Sequence, residues 1–158
     1  MTSVFITGID TDIGKTIATG LMAKYLLGRG ASVITQKMVQ TGCTGLSEDI
    51  LIHRRLMGCD LLDVDRAGIT GPFVFQYAAS PHLAARLEGQ TIDSEIISAA
   101  TAKLAAAFNP VLIEGAGGLC VPLNSRMTLI DYIAQQQHPV VLVSSSKLGS
   151  INHTALSI

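Results

Sequence analysis

Cysteine is scarce in this chain: Cys43, Cys59 and Cys120 are an odd number with no C-x-x-C spacing. That excludes a disulfide framework and a structural zinc site, and it fits a reducing compartment. Charge is also scarce, at 15% of residues, and the 11 basic side chains nearly cancel the 12 acidic ones. No stretch gathers many charges of one sign, so neither nucleic acid nor an anionic membrane is expected as a partner; a small metabolite is. No apolar run reaches the roughly eighteen residues needed to span a bilayer. The first residues lead directly into an apolar stretch ending at Gly8, with no basic segment and no room for a cleavable leader. A soluble, cytoplasmic protein is expected.

What is present is apolar sequence, 48% of 158 residues, in short Val/Ile/Leu runs separated by glycines and polar turns. Such runs suit strands covered on both faces, and a chain of this length suits one domain that buries roughly 70% of its unfolded surface. Val4 to Thr7 predicts a strand, and helical spacing from Gly14 to Leu27 predicts a helix that Gly28 and Gly30 stop. Ser32 to Gln36 predicts a second strand, Gln40 to Leu46 a turn-rich loop, and a helix begins near Ser47. Ser80 with Pro81 opens another helix, ending near Gly89, and Asp93 caps one that runs to Phe108. Val111 to Glu114 is a third strand, Gly115 to Asn124 a loop, Leu129 to Gln136 a helix and Pro139 to Ser144 a fourth strand, with a further helix from Ser150. Alternation of this kind predicts an α/β fold: a three-layer parallel sheet with helices on both faces. The loops after Thr7, Gln36, Glu114 and Ser144 should then share one sheet edge.

The segment from Gly8 to Thr16 lies between the first strand and first helix, the context a phosphate loop requires. Its backbone N–H groups, from Asp12 and Ile13 through Gly14, Lys15, Thr16 and Ile17, can ring a polyphosphate at the positive end of the helix dipole. Lys15 adds charge toward the β- and γ-phosphates, and the Thr16 hydroxyl suits a magnesium ligand. Five residues separate Gly8 from Gly14 where four are usual, and Ile9 replaces the first glycine of the usual pattern, so this is a variant of the P-loop.

Glu114 closes an apolar strand and would deliver its carboxylate to the same edge, where a magnesium-directed acid is needed. Asp49 suits a second ligand, or, together with Glu48, an ordinary helix-start acid. Lys37, just past the second strand, either meets a transferred phosphoryl group or is a solvated lysine. Gly115-Ala116-Gly117-Gly118 is a glycine-rich turn beside the nucleotide or a tight loop without ligand. Lys147 to His153 opens a helix whose free N–H groups offer a carboxylate-binding end. His53 and His138 have no partner at ligand spacing and read as structural or solvated; His82 and His153 lie near the site without a catalytic role.

Taken together, Thr7 through Thr16, Lys37 through Gly42, Ser80-Pro81-His82, Val111 through Gly118, Asp131 and Lys147 through His153 resemble the dethiobiotin synthetase family of P-loop proteins over essentially the whole chain. The resemblance implies an ATP- and Mg2+-dependent ligase of biotin biosynthesis that closes the ureido ring of dethiobiotin. Its substrates would be diaminopelargonic acid, CO2 or bicarbonate, and ATP. Carried over by motif, Lys37, Lys15 and Thr11 would be catalytic, and Thr16, Asp49 and Glu114 would hold the metal. Asp12 to Ile17, with Asp49, Glu114, Gly115, Ala116 and Gly117, would bind the nucleotide. Thr41, Pro81, Gly149, Ser150, Ile151 and Asn152 would receive the substrate.

Three positions depart from the family pattern: Met38 replaces a proline, Thr41 a serine, and the loop from Thr44 to Glu48 is short. The family also continues beyond the helix this chain begins near Ser150, with a further strand, adenine-binding residues and part of a homodimer contact. A fragment lacking that C-terminal portion is therefore expected. Two alternatives fit the bare phosphate loop. A Min- or Par-type ATPase switch would carry a lysine at Asp10, and an inactive, truncated nucleotide-binding module would not need Lys15, Thr16, Lys37 and Glu114 together. A cobyrinic-acid-type amide synthetase would need a glutaminase domain for which there is no space.

Overall fold

The computed structural model describes residues 2–158. Four strands, β1 (Ser3–Gly8), β2 (Ile34–Lys37), β5 (Val111–Gly118) and β6 (Val140–Val143), form one sheet in the order β2-β5-β1-β6. Every neighbouring pair is parallel. Side chains alternate across a strand, and both faces are apolar. Phe5, Ile34, Val111 and Ile113 share one core with Ala84 of α4 (Pro81–Leu87), Ile97 of α5 (Ser94–Ala105) and Leu129 of α6 (Leu129–Gln136). Ile6 and Leu112 point the other way, into a core with Ala23 of α1 (Lys15–Gly28) and Met57 of α2 (Glu48–Met57). Helix, sheet, helix is the layering expected from the sequence. No helix among the described residues is long and apolar enough to cross a membrane.

The face shared by α1 and α2 turns polar toward the carboxyl end of the strands. In register, Thr35 pairs with Leu112 and Lys37 with Glu114. Below the site, Arg54 of α2 donates from Nε and Nη2 to the Asp65 carboxylate at 2.8 and 2.9 Å, and from Nη1 to Thr35 Oγ1 at 2.9 Å. Thr70 Oγ1 and the Leu62 amide also donate to Asp65. Burial would raise the Asp65 pKa, but the hydrogen bonds from Arg54 and Thr70 outweigh it and hold it below the usual aspartate range. This network ties α2 to β2 and to a short helix, α3 (Asp63–Arg66).

Four local expectations need correction. The strand beginning at Val111 does not stop at Glu114 but runs through Gly118, because Gly8 pairs with Gly118 after a register shift. Glycine is needed along that extension: a Cβ on Gly115 would lie 2.9 Å from Leu129 Cδ2 and 3.0 Å from Phe5 Cε1. Gln40–Thr41, expected as loop, forms β3, paired in parallel with β4 (Val74–Phe75). Helix α5 ends at Ala105 rather than Phe108. Ser80 occupies the N-cap position of α4, yet its hydroxyl meets His82 Nδ1 at 3.2 Å instead of capping a backbone amide.

Candidate active site

Parallel strands deliver their carboxyl ends to one edge, so the loop after β1, Lys37 at the end of β2 and Glu114 within β5 converge there. The loop reaches α1 through two left-handed residues, Asp12 at φ 55° and Gly14 at φ 94°. Only glycine adopts the second without a Cβ penalty, and aspartate tolerates the first better than most. Helix α1 has no side-chain cap and no acid in its first turn. Its leading N–H groups therefore face the cavity as an anion-binding end.

Four side chains meet over that end. Lys15 Nζ bends back to donate to the Asp10 carbonyl at 2.6 Å. Thr16 Oγ1 donates to Glu114 Oε1 at 2.9 Å, and Lys37 Nζ donates to the same oxygen at 2.9 Å and to the Gly115 carbonyl at 3.0 Å. Lys37 also forms an ion pair with Asp49. Burial would lower the Lys37 pKa, but the Glu114 and Asp49 carboxylates more than reverse that and raise it. Burial would raise Glu114; the Lys37 charge and the hydrogen bond from His53 bring it down to about 2. Lys15 is lowered, first by burial and then by the neighbouring Lys37 charge. At neutral pH the edge thus carries an ionised glutamate braced by a charged lysine, with a second lysine beside them.

These residues line a cavity of about 490 Å³, within the range of small-ligand sites. Of the residues expected from the sequence, Thr11, Asp12, Gly14, Lys15, Thr16 and Ile17 line it from the loop and α1. Lys37, Thr41, Asp49, Glu114, Ala116 and Gly117 line it from the sheet and α2. Ile13 instead points back toward Gly8, and Gly115 contributes only its carbonyl, to Lys37. Pro81 lies in an adjoining cavity of about 390 Å³ that shares Thr11, Thr41, Ala116 and Gly117 with the first and adds Ala78, Ala79 and Val121. Gly149, Ser150, Ile151 and Asn152 open α7 (Ser150–Ser157) after β6, and line neither cavity.

Two placements decide between alternatives that the sequence left open. Lys37 is only 5% exposed, so the solvated alternative for it falls away. His53, expected to be structural or solvated, is fully buried with its Nε2 2.7 Å from Glu114 Oε2. The signal was its spacing from Asp49: positions four apart on α2 share a face, and Asp49 was already a site candidate. Gln40 was also missed; its Oε1 accepts from Ser47 Oγ at 2.8 Å and from the Asp49 amide at 3.4 Å, which ties the start of α2 to β3.

Residues 2–158 match the family described as an AAA domain. The chain is similar to the ATP-dependent dethiobiotin synthetase BioD 2 of Pasteurella multocida (strain Pm70), at 61% identity over 98% of this chain and 72% of the relative. It is 55% identical to the ATP-dependent dethiobiotin synthetase BioD 2 of Haemophilus influenzae (strain ATCC 51907 / DSM 11121 / KW20 / Rd), over 98% of this chain and 81% of that protein. Identity to the ATP-dependent dethiobiotin synthetase BioD of Chlorobaculum tepidum (strain ATCC 49652 / DSM 12025 / NBRC 103806 / TLS) is 52%, over 97% of this chain and 64% of that one.

Proposed function

The chain belongs to the ATP-dependent dethiobiotin synthetase family, and from that membership we propose that its sheet edge closes the ureido ring of dethiobiotin from diaminopelargonic acid, CO2 and ATP. The observation that carries this proposal is the convergence of Lys15, Thr16, Lys37 and Glu114 on one cavity at the start of α1. A nucleotide switch needs the loop, Lys15 and Thr16, but gains nothing from a second buried lysine held across the cavity. A ligase that must steady a small acceptor anion against the γ-phosphate does.

The chemistry has three steps. One amine of the diamine adds to CO2 and loses a proton, giving a carbamate. A carbamate oxygen then attacks the γ-phosphorus of ATP and ADP leaves, with no net change in charge balance beyond the transferred phosphoryl group. The second amine attacks the carbamoyl carbon, the carbamoyl C–O bond to phosphate breaks, and the ring closes as the amine's proton passes to the departing phosphate or to water. Lys15 would counter the charge of the β- and γ-phosphates, and the N–H groups from Asp12 to Ile17 would hold their oxygens. Lys37, with Thr11 on the opposite loop, would orient the carbamate, and Ala116 and Gly117 would flank the nucleotide. Thr41 and Pro81 border the adjoining, more apolar cavity, which suits the hydrocarbon chain of the diamine. The N–H groups from Gly149 to Asn152 are proposed to receive its carboxylate.

Thr16, Asp49 and Glu114 fit a magnesium ion by donor chemistry, being two carboxylates that already converge on one positive charge, the Lys37 ammonium, and a hydroxyl bonded to one of them. Such an ion would supply charge neutralisation to the phosphates. A homodimer is proposed only because the family resemblance implies it. Cytoplasmic location is supported by the need for ATP and by three free cysteines.

The test is ADP release in the presence of bicarbonate, measured with and without diaminopelargonic acid. Release that rises with the diamine and matches dethiobiotin formed mole for mole is expected. Release indifferent to the diamine would leave an ATPase and remove the ligase.

A further inference from the structure

We propose that His53 is a positioning residue for this reaction: its ring holds one oxygen of the Glu114 carboxylate so that the other is kept facing Thr16, Lys37 and the cavity. The proposal rests on the role given above to Glu114. The side chain of His53 is fully buried between α2 and the sheet, and its Nε2 lies 2.7 Å from Glu114 Oε2. Oε1 of the same carboxylate accepts from Thr16 and Lys37. The two oxygens are thus divided, one toward the core and one toward the cavity.

The division determines which atom reaches the ligand. Glu114 is an acceptor when ionised, so the ring must present Nε2–H to it. Nδ1 is buried with no hydrogen-bond partner among the described residues. A side chain kept only for packing would gain by being apolar here, since an unpartnered ring nitrogen is unfavourable in the core. The histidine is instead explained by its bond to Glu114. Gly20 brings it within reach: a Cβ on Gly20 would lie 2.6 Å from Leu56 Cδ1 and 3.4 Å from His53 Cα, so the glycine lets α1 and α2 pack closely enough to seat the ring against β5. Glycine inside a helix is unfavourable by propensity, and this close approach accounts for it.

Without His53, Oε2 would have no donor in a site closed to solvent, and the carboxylate would turn to share Thr16 and Lys37 between both oxygens. The cavity-facing oxygen would no longer be presented in a fixed position. Outer partners of ligating groups, when removed, weaken cation affinity by about 10- to 100-fold.

The experiment is calorimetric titration of ADP into the full chain over a range of Mg2+ concentrations, for wild type, His53→Leu, His53→Gln and Glu114→Gln, with thermal unfolding recorded for each. His53→Leu should raise the half-saturating Mg2+ concentration by about 10- to 100-fold and leave Mg2+-free ADP binding near wild type. His53→Gln places an amide N–H where Nε2–H was and should recover most of the loss. Should the leucine variant fail to fold, His53→Asn, polar but too short to reach Glu114, carries the same expectation. A wild-type Mg2+ requirement in the leucine or asparagine variant, or a glutamine variant as impaired as they are, would overturn the proposal. Glu114→Gln separates the two levels: if it keeps the wild-type Mg2+ requirement, the role given to Glu114 fails. If it raises the half-saturating Mg2+ concentration while His53→Leu does not, only the role of His53 fails.

Discussion

Lys37→Ala is expected to lower kcat for diamine-dependent ADP release by about 10²- to 10³-fold, the usual loss when one preorganised donor to a developing charge is removed. ATP affinity should change far less. The physical reason is the position of the ammonium, at the end of β2 and in register with Glu114, where it is held by two carboxylates and a backbone carbonyl. Those carboxylates keep it charged throughout the neutral range, so its contribution should not vary with pH near 7. Removing it leaves Asp49 and Glu114 facing each other without a shared cation, which favours a bound Mg2+ and offsets part of the charge lost toward ATP. The measurement pairs steady-state kcat with a calorimetric dissociation constant. An unchanged rate would show that Lys37 serves only to brace Glu114.

Lys15→Ala should damage binding and turnover together. Its ammonium donates to Asp10 O, the backbone of its own loop. It must leave that carbonyl for the phosphates, and the exchange is favourable because a charged acceptor is a stronger partner than a neutral carbonyl. Burial and the Lys37 charge, which lower its pKa, further favour a site that gains negative charge. A hydrogen bond between charged groups contributes about 1.5–3 kcal/mol, so ATP affinity should fall by roughly 10- to 100-fold with a comparable or larger fall in kcat. Normal ATP affinity in this variant would mean that the triphosphate lies elsewhere.

How far the sequence alone reached depended on the range of the interaction concerned. The order of strands and helices and the sharing of one edge were legible because apolar runs in β1, β5 and β6 and the Gly14-Lys15-Thr16 start of α1 are local signals with strong physical causes. The continuation of β5 through Gly118 was not, because a glycine run reads as a turn until Gly8 is known to pair with it. Two-residue strands such as β3 and β4 carry too little periodicity to be seen, and they form because they pair with each other across two intervening helices. Lys37, Glu114 and Asp49 were recognised as separate candidates; their junction at one oxygen and one ammonium depends on parallel register and on the approach of α2. His53 shows the same limit most clearly. Its spacing from Asp49 is in the sequence, but its partner lies 61 residues away on another layer.

The central claim is that one sheet edge holds the triphosphate and the carbamate between two lysines. A crystal structure with Mg2+, a non-hydrolysable ATP analogue and diaminopelargonic acid addresses it directly. The expected result is a γ-phosphate within hydrogen-bond reach of both Lys15 Nζ and Lys37 Nζ, with a carboxylated amine of the substrate on the side of Lys37 and Thr41. A γ-phosphate bound by Lys15 alone, with Lys37 still clamped between Asp49 and Glu114 and the diamine outside the cavity, would contradict it.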